Sequence, residues 1–219
     1  SSFEPRSPFW CDGVVEPHNT LAASGSAYLA LHAATAEPYF RERAQQFATL
    51  LRQHHHKAAD DTWLYHYWWG VVRTGWSPED NVSRNTPAYP GQDTVEDISH
   101  FQLSMLFFVQ CHDAGVVFDR PFLESWQRTF HRRLLKAGDA GQYIAGRVDG
   151  ADDRGEEGWN NHVMSGLIDL SRVLDDEEMY RALREIFFTR YTDGAGSGAV
   201  LLSWAALAQA EAHFEDGQK

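Results

Sequence analysis

Two kinds of helical segment alternate along this chain, and the alternation limits its fold more than any other feature. Segments of the first kind are rich in apolar residues or small side chains over most of their surface, as expected of inner helices; they span about 19–35, 95–114, 159–174 and 196–214. Segments of the second kind carry one apolar stripe at helical spacing, with charged residues between, as expected of outer helices; they span about 37–56, 120–137 and 176–190. The pattern predicts about seven helices that alternate between inner and outer positions.

The lengths of the connections indicate where function lies. Two long loops, 58–94 and 138–157, each lead from an outer helix to the next inner one, so both lie at the end where inner helices begin. Such a plan is typical of an α/α-toroid. We therefore predict an all-α fold, an incomplete α/α-toroid with minor β segments in the long loops; a generic helical bundle is the competing architecture. Residues 1–219 are expected to form one domain, with 1–17 as an extended arm.

Charge and composition exclude several classes of partner. The formal net charge of -12 disfavours nucleic acid and anionic membrane surfaces, which require clustered Lys and Arg. The chain contains no common zinc, phosphate-loop or dinucleotide motif, so we expect neither a metal nor a cofactor. Cys11 and Cys111 lie far apart and do not identify a redox compartment, which leaves the localisation open.

Three inner segments begin with polar residues capable of chemistry. These clusters are His18-Asn19, Glu96 to His100, and Trp159 to His162. If the inner helices all begin at one end of the molecule, the three clusters line a single cleft. Helix starts also present free backbone N–H groups and a positive dipole end, which favours oxygen-rich ligands.

The cluster at Glu96 has the strongest chemical signal by residue type. Glu96 and Asp97 precede His100 by four and three positions, so at helical spacing either carboxylate shares a face with the imidazole. A carboxylate so placed orients a histidine and raises its basicity. The alternative is that the acids cap the helix and that His100 is a satisfied buried imidazole.

The third cluster adds a resemblance to a known family. Asn160-Asn161-His162 at the head of an inner helix resembles the Asn-Asn-His motif of toroidal alginate lyases. The resemblance implies that Asn160 or Asn161 neutralises a uronate carboxylate and that His162 helps to abstract the adjacent proton, with Tyr and Arg completing the set. Val163-Met164-Ser165 replaces the aromatic continuation of that motif.

Aromatic residues in the long loops are candidates for stacking on sugar rings, or for sealing the rim of the fold. Alternation from residue 63 to 69 indicates a short extended segment. The run His54-His55-His56 is interpreted as structural, because consecutive helical residues point in different directions and cannot all bind one ion. The candidate binding residues are His18, Asn19, Trp63, Tyr65, Tyr67, Tyr89, Tyr143, Arg147, Trp159 and Asn160.

These features predict a carbohydrate-active enzyme. As a polysaccharide lyase acting on uronate-containing glycans by β-elimination, it would use His100 or His162 as base and a Tyr as acid; the candidate catalytic residues are Glu96, Asp97, His100, Asn161 and His162. The alternatives are a glycoside hydrolase with paired carboxylates, a sugar epimerase or small-molecule cyclase, and a non-catalytic glycan-binding module. The overall acidity opposes a polyanionic substrate, unless Arg147 or Arg154 makes the cleft locally positive.

Overall fold

A computed structural model describes residues 15–151, 155–191 and 197–216 of the chain. This part is mostly helical, so the prediction of an all-α protein with minor β segments is confirmed. Its eight α-helices are α1 (His18–Thr35), α2 (Pro38–Gln53), α3 (Gly70–Thr74), α4 (Ile98–Asp113), α5 (Arg120–Thr129), α6 (Ser165–Leu174), α7 (Glu177–Arg190) and α8 (Gly198–Asp216). Two antiparallel hairpins lie in the loops, β1 (His56–Lys57) with β2 (Trp63–Leu64), and β3 (Leu135–Gly138) with β4 (Gly141–Ile144).

The odd-numbered helices of the sequence pattern form a row. In that row α1 packs on α4, α4 packs on α6, and α6 packs on α8. The striped helices lie against the row: α2 on α1 and α4, α5 on α6 and α4, and α7 on α6 and α8. The alternation along the sequence therefore corresponds to two sets of helices in space.

Glycines allow the helices of the row to approach closely. On α6, a Cβ added to Gly166 would lie 2.7 Å from the carbonyl oxygen of Gln102 and 2.8 Å from the Cβ of Met105, both on α4. On α1, Gly25 faces the ring of Phe107 in the same way. The pairs α1–α4 and α4–α6 therefore depend on the absence of a side chain at these two positions.

Burial differs along the row. Helix α4 is buried over most of its surface, as its apolar composition predicts. The expectation that the first helix is enclosed is wrong on one side: Ala23, Ala27 and Leu31 are exposed. Helix α8 likewise leaves Leu201 66% exposed and Trp204 40% exposed, because both helices are at the ends of the row.

Two predicted helices end or begin elsewhere. The segment 120–137 is α-helical only to Thr129, continues as a π-turn over Phe130–Leu134, and then becomes strand β3. The segment 159–174 begins with a 3-10 turn at Trp159–Asn161, and α6 starts only at Ser165. The Asn-Asn-His tripeptide therefore precedes the inner helix instead of forming its first turn.

The remaining expectations fall partly outside the described residues. The predicted arm is described only at residues 15–17, and Cys11 lies outside the described ranges. Cys111 is a buried free thiol on α4, and burial raises its pKa. Within the described ranges, no helix is both long enough and apolar enough to cross a bilayer.

Candidate active site

Three loop segments meet at the start of α4 and fix its first residues. The Glu96 N–H donates to the Tyr65 carbonyl at 2.9 Å, and the Glu96 carbonyl accepts from the Val148 N–H at 3.0 Å. One residue further on, Asp97 pairs with Arg147 in an isolated antiparallel bridge. The predicted cluster at Glu96 is therefore held between the aromatic segment and the second long loop.

Asp97 and His100 form a carboxylate–imidazole dyad at the N-terminus of α4. Asp97 is the N-cap: its Oδ1 accepts from the His100 N–H at 3.2 Å and from the Ser99 hydroxyl at 2.5 Å. Its Oδ2 lies 2.5 Å from His100 Nδ1. Burial alone would raise the pKa of Asp97, but the hydrogen bonds from His100 and Ser99 outweigh it and lower that pKa far below its ordinary value.

The dyad fixes the tautomer of a half-exposed histidine. Because the Asp97 carboxylate accepts, His100 Nδ1 carries the proton, and Nε2 is left as the acceptor of the neutral ring. The side chain of His100 is 48% exposed, whereas that of Asp97 is 13% exposed. An oriented imidazole that solvent can reach is suited to act as a general base.

A phenol stands beside the dyad. The ring centroid of Tyr67 lies 5.3 Å from that of His100 at an interplanar angle of 52°. Burial raises the pKa of Tyr67, and the nearby acids Glu96 and Asp97 raise it further. Tyr67 therefore stays protonated at neutral pH and is suited to donate a proton.

Glu96 lies beneath the dyad as an isolated buried acid. Its side chain is fully buried, and neither carboxyl oxygen has a hydrogen-bond partner among the described residues. Burial raises the pKa of Glu96 well above its ordinary value, with a further rise from the charge of Asp97. The carboxyl group of Glu96 is therefore held towards its neutral form and is shielded from any ligand in this conformation.

The same residues are a candidate metal site. Glu96, Asp97 and His100 each offer one ligand atom, and these atoms lie within 4.8 Å of one another, the one such group found in the described part of the chain. Two carboxylates and an imidazole suit a divalent transition ion. In this structure, however, both oxygens of Asp97 and Nδ1 of His100 are engaged in the cap and the dyad.

The polar start of α1 lies next to these residues and is buried. The side chain of His18 is 1% exposed and that of Asn19 is 6% exposed. His18 Nδ1 lies 2.7 Å from the His66 carbonyl oxygen and Nε2 lies 3.0 Å from His54 Nδ1, while its backbone N–H donates to the Tyr67 carbonyl. The chain thus connects His18 to the dyad through Tyr67.

The predicted aromatic residues divide into two groups. Trp63 and Tyr65 are buried in the core, so neither ring presents a surface for a ligand here. Tyr67 is partly exposed beside His100. Tyr89 packs on Trp76 with ring centroids 4.8 Å apart. The structure therefore places only Tyr67 of these in contact with the dyad.

Residues from the second long loop lie on two sides of the cluster. Arg147 donates from its guanidinium to the Val95 carbonyl at 3.0 Å and is paired with Asp97 through the backbone. Tyr143 is a partly buried residue of β4, opposite Lys136. Arg147 is thus the predicted basic residue that the fold brings to the dyad.

The two asparagines have structural contacts. Asn161 accepts from the Ile144 N–H at 2.7 Å and donates to the carbonyls of Glu156 and Gly158. Asn160 donates to the carbonyls of Ile144 and Ala145. Both side chains are fully buried and fasten the end of β4 to the 3-10 turn. The side chain of Trp159 lies outside the described part.

His162 has a different environment from the dyad. Its Nε2 lies 2.7 Å from the Arg190 carbonyl oxygen, and its ring centroid is 5.5 Å from that of Tyr191. These neighbours belong to the end of α7, whereas His100 contacts Asp97 and Tyr67. The contacts therefore bring His18, Glu96, Asp97, His100, Tyr67 and Arg147 together and do not connect His162 to them.

The sequence interpretation did not include four residues that line a cavity beside His18. They are His54, His66, Arg73 and Asp93. His54 was visible within the triple histidine run, but the end of α2 at Gln53 turns it away from its neighbours. The other three residues lie in a loop without periodicity, so no pattern in the sequence singles them out.

Comparisons with known proteins do not add to this geometry. No family model, curated protein or solved structure matches the chain. The resemblance of Asn160-Asn161-His162 to alginate lyases therefore stays a prediction.

Proposed function

We propose that the protein is a carbohydrate-active enzyme in which His100, oriented by Asp97, is the general base. The observation that carries the proposal is the 2.5 Å contact between Asp97 Oδ2 and Nδ1 of a histidine side chain that is 48% exposed. A carboxylate that fixes the tautomer and stabilises the imidazolium is a recurring device for proton transfer.

The proposed reaction is β-elimination on a uronate-containing glycan. His100 Nε2 removes the proton from the ring carbon that bears the carboxylate. The electron pair forms a double bond to the neighbouring ring carbon, whose bond to the glycosidic oxygen breaks. Tyr67, kept protonated by burial and by Glu96, gives its phenolic proton to the leaving oxygen.

Carboxylate neutralisation in this proposal falls to Arg147. The side-chain amides of Asn160 and Asn161 already bind the backbone around Ile144 and are fully buried. Arg147 lies opposite Asp97, at the edge of the dyad. A guanidinium there favours the negative charge that develops on the uronate during proton abstraction.

We also propose that the helices form an incomplete α/α-toroid. The row α1–α4–α6–α8, with α2, α5 and α7 packed against it, supports this architecture. The dyad lies at the N-terminus of α4, the start of an inner helix, where the two long loops meet. An open cleft at that end would accommodate a chain of sugar rings.

A glycoside hydrolase is the second candidate. The specific observation in its favour is that the pKa of Glu96 is raised while that of Asp97 is lowered, the pattern of an acid and base pair. Against it, Glu96 is fully buried and does not reach a glycosidic oxygen in this conformation. The lyase is therefore the better-supported reaction.

Product analysis tests the proposal. The protein is incubated with alginate, polygalacturonate and hyaluronan, and both ultraviolet absorbance of unsaturated uronate and new reducing ends are followed. Both signals together are expected of a lyase, whereas reducing ends without absorbance would indicate a hydrolase. The absence of both signals with all substrates, while binding persists, would indicate a non-catalytic glycan-binding module. Activity is also expected to survive EDTA, since loss and recovery with added Mn²⁺ or Zn²⁺ would assign Glu96, Asp97 and His100 to a metal instead.

A further inference from the structure

A cavity of about 940 Å³ lies on the other side of Tyr67 from the dyad. The start of α1, the end of α2 and the loop segments around residues 66–74 and 90–93 enclose it. The residues that matter for its chemistry are His18, His54, His66, Trp69, Arg73 and Asp93. The elimination reaction uses none of them.

A chain of hydrogen bonds fixes the protons of two histidines in this cavity. The His66 carbonyl oxygen only accepts, so His18 Nδ1, 2.7 Å away, must carry a proton. His18 is buried and its pKa is lowered to about 4 by that burial, so the ring is neutral at neutral pH and its Nε2 is an acceptor. His54 Nδ1, at 3.0 Å, therefore donates to His18.

The chain leaves His54 with a defined acceptor. Burial first, and then the charges of His56 and Arg73, lower the pKa of His54. A neutral His54 that donates from Nδ1 has an unprotonated Nε2. This nitrogen belongs to a residue that lines the cavity and is held in place by His18.

The charged groups of the cavity are paired with each other. Arg73 Nε lies 2.6 Å from Asp93 Oδ1, and His66 Nδ1 lies 2.9 Å from the same oxygen. The charges of Arg73 and Asp93 offset one another, and neither is left to attract an ion of one sign. A ligand without net charge fits this arrangement better than a carboxylate or a phosphate does.

Indole rings form much of the apolar wall. The ring of Trp69 lies 5.0 Å from His54 and 6.3 Å from His18, centroid to centroid, and its Nε1 donates to the Glu16 carbonyl. Trp68 lines the same cavity and contacts Tyr67 at 5.0 Å. Rigid aromatic faces beside a few fixed polar groups are the usual lining of a site for a small organic ligand.

We propose that this cavity binds one neutral sugar ring, with a ring hydroxyl donating to His54 Nε2 and the C–H face of the ring against an indole. The chemistry that selects it is an uncharged polyol with an apolar face. Tyr67 contacts His100 on one side and Trp68 on the other, so the cavity adjoins the dyad. The further statement that this ring is part of the cleaved glycan rests on the proposed function.

Binding measurements with His54 variants test the proposal. Titration calorimetry and tryptophan fluorescence measure binding of glucose, mannose, galactose and galacturonate. Wild type should bind at least one neutral sugar more tightly than galacturonate. His54→Asn, which keeps the donor to His18 but has no group at the Nε2 position, should weaken binding by about tenfold or more, the effect of one lost hydrogen bond. His54→Gln, which places a polar group there, should retain part of it.

The matched control is His32→Asn, because His32 lies near the opposite end of α1 and outside the cavity. Circular dichroism and the thermal midpoint check that each variant folds. If both His54 variants fail to fold, long-range nitrogen–proton NMR on wild type replaces them: His18 and His54 should both show the Nδ1–H tautomer, and sugar should shift the His54 Nε2 signal. A wild-type protein that binds none of the neutral sugars, or a folded His54→Asn that binds like wild type, would overturn the proposal.

His100→Ala separates this inference from the proposed function. That variant should keep neutral-sugar binding while it loses turnover. Sugar binding by a wild-type protein that cleaves no polymer would leave the cavity assignment standing and remove the lyase, and turnover without sugar binding would do the reverse.

Discussion

At the scale of single residues, His18 shows how burial and hydrogen bonding together determine a charge state. Its imidazole is 1% exposed and its pKa is lowered to about 4, mainly by burial, with His54, His66 and Arg73 opposing a positive charge as well. The unfolded chain takes up this proton near pH 6.5, whereas the folded chain does not until about pH 4. Folding is therefore penalised in that interval.

We predict that the free energy of unfolding falls by roughly 3 kcal/mol through His18 alone as the pH drops from about 6.5 to 4. Urea denaturation over a pH series measures it. The slope should be smaller in His18→Gln, and unchanged in the control His32→Gln. Parallel curves for wild type and His18→Gln would contradict the buried neutral imidazole.

Asp97 has two roles that a substitution can separate, since it caps α4 and orients His100. Asn is nearly as good an N-cap as Asp, so Asp97→Asn should change stability by less than about 1 kcal/mol. It cannot stabilise an imidazolium, and turnover should fall by about 10²- to 10⁴-fold.

The matched control for Asp97→Asn is Asp119→Asn, which alters the same kind of cap on α5. That variant should leave turnover unchanged. Equal turnover in Asp97→Asn and wild type, measured at saturating substrate, would show that Asp97 acts only as a cap.

At the scale of elements, the packing of α4 on α6 depends on Gly166. Because its Cβ would lie 2.7 Å from a backbone oxygen of α4, Gly166→Ala should force the two helices apart and destabilise the protein by about 1–3 kcal/mol. Gly198→Ala, at the exposed start of α8 with no atom within 4 Å of the added Cβ, is the control and should be close to neutral. Thermal or urea unfolding checks both, and equal midpoints would refute the close approach.

Helix existence followed from periodicity, but two helix ends did not. The stripe Phe122, Trp126, Phe130 and Leu134 continues at helical spacing, yet the chain leaves the helix after Leu134 because β3 pairs with β4, a contact between distant residues. Asn160 and Asn161 read as helix caps, but their amides bind the backbone near Ile144 instead. In both cases a tertiary hydrogen bond outweighs a local preference.

At the scale of the whole molecule, the position of the dyad could be predicted and the cavity could not. Asp97 and His100 lie three positions apart on one helix, so spacing alone brought them together. His54, Arg73 and Asp93 come from separate segments that only the folded chain joins. No local pattern encodes such a site.

The net charge makes a further prediction for the whole protein. At -12, the molecule repels a polyuronate at long range. Raising the ionic strength from about 0.01 M to 0.15 M shortens the Debye length from roughly 30 Å to 8 Å and should lower KM for the polymer. A KM that rises with salt would show that local positive charge, such as that of Arg147, controls substrate binding.

The central claim is that His100 is the general base, and turnover of His100→Ala tests it most directly. The side chain is half exposed and its substitution leaves the Asp97 cap on the His100 N–H in place, so the thermal midpoint should stay close to that of wild type. Uronate elimination should nevertheless fall by about 10²- to 10⁴-fold. A folded His100→Ala protein that turns over substrate at the wild-type rate would contradict the claim.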